Sequence, residues 1–168
     1  KANRPSPRPP TAARPHRLSV TEIKKLIRDP YAVYAKHVLK LRPLDPLVQE
    51  PDALLRGIVL HKILEDFIKA SVTDPKRLTV PDFLTTATAH LEAKVPWPVA
   101  RSLWLARLER IAEDFITGEQ QRQAIAQPSG FEVSGTVRVA PLDFEIAGTA
   151  DRIDVDERGG LHLFDYKT

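Results

Sequence analysis

The chain has 168 residues, 42% of them hydrophobic and 28% charged, a composition ordinary for a soluble protein of one domain plus appendages. Its apolar runs are far too short to span a bilayer, and no apolar segment follows the basic opening Lys1-Ala2-Asn3-Arg4-Pro5. Net charge is +3, but residues 1–50 hold 11 Lys+Arg against 4 Asp+Glu (+7), while residues 51–168 hold 14 against 18 (−4), so the basic front half suits a polyanionic partner. With no Cys there is no disulfide framework and no thiolate metal or iron–sulfur site, and the cytoplasm is the expected compartment. With no Met, Lys1 is not expected to be a natural start, and the chain reads as a piece of a longer protein.

Residues 1–17 read as a linker, because Pro5, Pro7, Pro9, Pro10 and Pro15 block both helix and ladder while Arg4, Arg8, Arg14 and Arg17 keep the segment extended. A domain over residues 18–168 is expected to follow. Ser19 and Glu22 have capping-box spacing, so a helix is predicted to about Arg28 and to stop before Pro30. Tyr31 to Leu41 reads as a second helix, with Val33, His37 (or Tyr34) and Leu41 on one stripe, and Pro43, Pro46 and Pro51 mark a loop. The clearest helix runs from residue 53 to about 71, with Leu60, Leu64, Phe67 and Ile68 as its apolar stripe. Gly57, His61 and Glu65, each four apart, stack on a second stripe. Helical patterns also cover Pro81 to about Ala93 and Trp97 to about Gln127, the latter one long helix or a pair, where Leu103, Leu105, Leu108, Ile111, Phe115 and Ile116 are expected to face a core.

From Phe131 the period changes to two. Strands are predicted over residues 131–139, Leu142–Val155 and Leu161–Lys167, with a turn at Asp156-Glu157-Arg158-Gly159-Gly160. Helices first, then strands, predict an α+β class: a helical N-terminal part packed on an antiparallel β-meander that stops after its third strand.

The chemistry-bearing residues lie on the last two strands. If Val155 pairs with Leu161, Asp151 falls opposite Asp165 on one face, about 4.5–5.5 Å apart at Cβ. That register needs an odd-length turn or a bulge, with Gly159 or Gly160 at positive φ; a one-residue slip would send Asp165 to the other face. Two carboxylates so placed repel, and a divalent cation between them removes that cost. Lys167 shares the face of Asp165, where an ammonium can stabilise charge on a phosphate oxygen or help deprotonate an attacking water. Two carboxylates and a lysine are what a metal-dependent phosphodiester-cleaving site needs. Oxygen ligands plus one imidazole suit Mg²⁺ or Mn²⁺ better than Zn²⁺, and His61 is the imidazole candidate. Glu65 and Glu132 form a second tier of candidate ligands, and Asp154, on the opposite strand face from Asp151, is expected in a structural salt bridge.

At these residues the chain resembles the RecB-like branch of the PD-(D/E)XK nuclease superfamily. Gly57-Ile58-Val59-Leu60-His61 is similar to its helical histidine motif, Gly148-Thr149-Ala150-Asp151-Arg152-Ile153-Asp154 to its aspartate motif, and Asp165-Tyr166-Lys167-Thr168 to its Asp-x-Lys motif. The segments Arg17–Ile23 and Asp29–Tyr34 resemble its opening helices, and Leu39–Leu47 is most similar to the C-terminal nuclease domains of alphaproteobacterial AddB-type subunits of AddAB helicase–nucleases. The resemblance implies the front half of a restriction-endonuclease-like core. It implies His61, Asp151, Asp165 and the Tyr166 carbonyl as metal ligands, with Lys167 as the catalytic lysine beside Asp151 and Asp165. It also implies Mg²⁺- or Mn²⁺-dependent exonucleolytic hydrolysis of DNA during double-strand-break repair by recombination, with DNA and an AddA-type helicase–nuclease subunit as partners. Many relatives bind an iron–sulfur cluster through a cysteine that precedes a proline; here that position is Asp29, before Pro30, and no cluster is expected. Two alternative functions are a non-catalytic DNA-binding or interaction module that keeps the fold, and a different RecB-like exonuclease, phage or CRISPR-associated. The family's chain continues past Asp-x-Lys, so activity of residues 1–168 alone is not expected to be full.

Overall fold

The computed structural model describes residues 6–44, 47–48 and 50–167. The first five linker residues, Asp45 and Pro46 of the predicted loop, and Thr168 lie outside the described residues. The chain divides into two compact units: Lys1–Leu47 with Ser134–Thr149, and Val48–Val133 with Ala150–Thr168.

In the first unit β1 (Arg17–Ser19) leads directly into α1 (Val20–Arg28), and α2 (Pro30–His37) follows. The capping box forms as its spacing predicts. The Glu22 N–H donates to Ser19 Oγ (3.2 Å) and the Ser19 N–H to Glu22 Oε2 (3.1 Å), satisfying two donors that the first helical turn leaves free. Glu22 Oε1 also accepts from Lys36 Nζ (2.6 Å) and pairs with His37 Nε2 (2.8 Å), which ties α1 to α2. Asp29 closes α1 and caps α2, with Pro30 pre-set at the first helical position.

One expectation fails here. The second helix ends at His37 rather than Leu41, because Lys40 is in the left-handed region (φ 57°). The Leu39 and Leu41 N–H groups then turn back to the carbonyls of Tyr34 and Ala35, and Leu41 stays 58% exposed. Where the linker is expected to give way to the domain, Arg17, Leu18 and Ser19 pair in parallel with Glu145, Ile146 and Ala147. The four-stranded sheet is therefore mostly, not wholly, antiparallel.

The second unit holds α3 (Ala53–Thr73), α4 (Val80–Lys94) and α5 (Pro98–Ile125), a single 28-residue helix. Its core joins Val59, Ile63, Phe67 and Ile68 of α3 to Phe83, Ala87 and Leu91 of α4 and to Trp104, Leu108, Ala112 and Ile116 of α5. Phe83 touches Phe67 (centroids 5.2 Å) and Phe115 (5.0 Å) at its centre. Of the predicted α3 stripe, Phe67 and Ile68 are buried, but its first half is displaced by one residue. There Val59 and Ile63 are buried, while Leu60 and Leu64 pack at the edge. On α5 the i, i+4 row Ala100, Trp104, Leu108, Ala112, Ile116 faces inward, and the predicted core residues Leu103 and Ile111 are each 51% exposed.

The strands are β2 (Ala126–Arg138), β3 (Glu145–Asp156) and β4 (Leu161–Phe164), with β3 flanked by the others. The β3–β4 register is the predicted one: Val155 opposes Leu161, Ile153 opposes Leu163 and Arg152 opposes Phe164. Gly159 takes positive φ (79°), and Asp156 Oδ1 accepts from the N–H groups of Arg158 (2.8 Å) and Gly160 (2.7 Å) to close the turn. The last strand stops at Phe164, not at Lys167. The next N–H that could extend it, that of Tyr166, donates instead to the Asp151 side chain (2.5 Å).

Candidate metal centre

Three side chains of the second unit converge where the β3–β4 ladder ends. His61 projects from the middle of α3, Asp151 from β3 and Glu132 from β2, and their ligand atoms all lie within 4.8 Å of one another. Glu132 is aimed by its backbone: its φ of 50° is left-handed, a conformation rare for a residue with a side chain and typical of strand irregularities that redirect one.

The half-buried pair His61 and Asp151 is organised by Tyr166. Asp151 Oδ2 accepts the Tyr166 N–H, and the Tyr166 carbonyl is 3.0 Å from His61 Nε2. The other ring nitrogen, Nδ1, faces Asp151 Oδ1 at 3.6 Å. The Tyr166 ring meets the imidazole edge-on (6.2 Å, 85°) and packs against the helical core. Burial pushes the Tyr166 phenol above its usual range, which keeps it neutral.

The other predicted site residues lie elsewhere. Asp165 and Lys167 are outside the cluster, mostly exposed (63% and 84%), and ion-paired with each other. Glu65 bonds to Lys69 and to Lys62 (3.0 Å) on the surface of α3, and those lysines hold its carboxyl below the usual range. Asp154 is buried in the salt bridge expected of it, with Arg152.

That bridge belongs to a network absent from the sequence reading. Arg152 is fully buried; its Nε and Nη2 donate to Asp154 (2.5 and 2.6 Å) and its Nη1 to Glu119 of α5 (2.7 Å). Arg122 Nε (3.0 Å) and Gln123 Nε2 (2.8 Å) also donate to Glu119. Burial alone would push the Glu119 carboxyl up, but the hydrogen bonds from Arg152 and Gln123 outweigh it and hold it low, so Glu119 stays ionised. A usable signal was present: Glu119 continues the buried row of α5 three residues after Ile116, and Arg152 alternates inward between Asp151 and Ile153.

The donor set fits a hard divalent cation. One imidazole nitrogen and two carboxylates supply three ligands, and an exposed Glu132 leaves the remaining positions open to water or substrate. The sequence profile of the PD-(D/E)XK nuclease superfamily matches residues 17–168. Curated relatives include uncharacterized proteins of Rickettsia bellii (31% identical over 156 residues) and Rickettsia conorii (31% over 160), each match covering 92% of this chain and 19% of the relative. An uncharacterized protein of Rickettsia typhi is 32% identical over 160 residues, covering 92% of this chain and 18% of its own. The chain thus spans less than a fifth of the length of these relatives.

Proposed function

The chain belongs to the PD-(D/E)XK nuclease superfamily, and from that premise we propose that it is a divalent-metal-dependent DNA nuclease domain whose ion is held by His61, Glu132 and Asp151. The observation that carries this reading is the convergence of those three side chains within 4.8 Å from three separate elements. Mg²⁺ or Mn²⁺ is the proposed ion, on the chemistry of the donors. When bound, such an ion lowers the pKa of water and neutralises charge on a phosphodiester.

The chain's own residues divide the remaining work. Asp151 and His61 bind, and the Tyr166 carbonyl is proposed as a further ligand. Asp165 is proposed to join them when substrate is present. Its partner Lys167, freed from that pair, would then stabilise charge on a phosphate oxygen or take a proton from the attacking water. The exposure of both residues supports access to a phosphate. The finer reading is an exonuclease of the AddB type, partnered by an AddA-type helicase–nuclease subunit in the cytoplasm and acting in recombinational repair of double-strand breaks. It rests on the resemblance of Leu39–Leu47 and the three motifs. Among the described residues no helix is long and apolar enough to cross a membrane.

The position of Asp165 and Lys167 outside the cluster favours one alternative, a module that binds DNA without cutting it. Incubation of the full-length domain with end-labelled linear DNA and Mg²⁺ separates the two. Cleavage that is abolished by EDTA and lost in Lys167→Ala and Asp165→Ala is expected. Binding without cleavage, or cleavage indifferent to both substitutions, would sink the nuclease reading.

A further inference from the structure

The strand that carries Asp151 is held from behind by a charge that no ligand role explains. Adjacent strand residues face opposite ways, so Arg152 enters the core while Asp151 faces the metal centre. It opposes Phe164 at the last β3–β4 ladder pair, beyond which that ladder does not reach Asp165–Tyr166. There its guanidinium divides between two elements: a two-point grip on Asp154 of its own strand, and Nη1 on Glu119 of α5. The same Nη1 lies 3.4 Å from the Tyr166 hydroxyl, and the guanidinium sits 5.2 Å from the Phe164 ring.

Stability does not account for this arrangement. A buried ion pair gains little over apolar residues of the same volume, and here two carboxylates and an arginine displace them. What the network does supply is a fixed position for the strand end and, through Tyr166, for the backbone groups that bond Asp151 and His61. We propose that Arg152 is the positioning residue of the metal centre, acting with Glu119 to lock Asp151 and Tyr166 in ligand geometry. This rests on the metal-site reading above. Lysine cannot replace it, because a single ammonium cannot grip Asp154 at two points and reach Glu119 as well.

The test is Mn²⁺ binding to the 168-residue chain, read by electron paramagnetic resonance or calorimetry without DNA and well below the melting temperature. Arg152→Lys keeps the buried charge and Glu119→Gln keeps the side-chain shape and an acceptor. Phe83→Leu, in the helical core away from the metal centre, serves as a control of comparable loss in thermal stability. The affinity is expected to fall about 10- to 100-fold in Arg152→Lys and several-fold in Glu119→Gln, and to be unchanged in Phe83→Leu. If Arg152→Lys does not fold, Glu119→Gln decides alone. Folded variants that bind Mn²⁺ as tightly as the unsubstituted chain, or an equal loss in Phe83→Leu, would overturn the positioning role while leaving the metal site standing. An unsubstituted chain that binds no Mn²⁺ would overturn both.

Discussion

Replacing Glu132 should stabilise the metal-free chain while weakening its hold on a divalent cation. Two terms act against the fold at this position. Its φ of 50° puts a side-chain-bearing residue in the left-handed region, at about 1 kcal/mol. Its carboxylate lies within 4.8 Å of an Asp151 oxygen, and with one partner exposed an effective dielectric of roughly 40–80 makes that repulsion about 1–2 kcal/mol. Glu132→Gln removes the repulsion alone, so a gain of about 1 kcal/mol is expected. Glu132→Gly removes both terms, offset by about 0.5–1 kcal/mol of extra unfolded-state freedom, for a net gain of about 1–2 kcal/mol. Urea denaturation in EDTA reads these differences. Repeating it in Mn²⁺ reads the ligand, since an ion at about 100 times its dissociation constant adds about 2.7 kcal/mol to a chain that binds it. Both variants should gain clearly less from Mn²⁺ than the unsubstituted chain. A Glu132→Gln chain that is less stable in EDTA, or that gains as much from Mn²⁺, would refute this reasoning.

Three further outcomes follow from the fold. Gly159→Ala should cost about 1 kcal/mol in thermal unfolding, all of it from the positive φ, because an added Cβ there meets open space. Phe83→Ala should cost about 3–5 kcal/mol, seen as a lower urea midpoint at constant slope, since Phe83 is fully buried between Phe67 and Phe115. Hydrogen bonds from Lys36, the Ser19 N–H and His37 hold the Glu22 carboxyl down to about 2 from the usual 4.5. Its stabilisation is therefore complete above pH 4.5 and lost as pH falls through about 2; with Lys36 solvent-exposed it amounts to about 1 kcal/mol, and Glu22→Gln should flatten the stability profile in that window.

What the sequence made legible was local or arithmetical. Ser19 and Glu22 announce a helix start because a capping box is complete within four residues. Setting Asp151 opposite Asp165 poses the β3–β4 register, and that register demands an odd-length turn with Gly159 or Gly160 at positive φ, which Gly159 supplies. The parts that were not legible depend on distant packing. Leu60 and Leu64 fit a helical stripe as well as Val59 and Ile63 do, and only the docking of α4 and α5 selects the second pair. Leu103 and Ile111 gave α5 apolar residues on more than one face, with the same result. The pairing of Arg17–Ser19 with β3 joins residues about 128 apart, and Glu119 meets Arg152 across 33, separations at which no periodicity speaks. At the site, the register alone predicts a ladder contact between Asp151 and Asp165. The ladder ends one pair earlier, because Asp151 binds the Tyr166 N–H and the chain turns away.

Crystals of the chain soaked in Mn²⁺ and measured for anomalous scattering test the central claim most directly. The account predicts an anomalous peak bounded by His61, Glu132 and Asp151 and absent from Asp151→Asn crystals. Ordered density for these three side chains with no peak between them, or a peak that persists in Asp151→Asn, would contradict it.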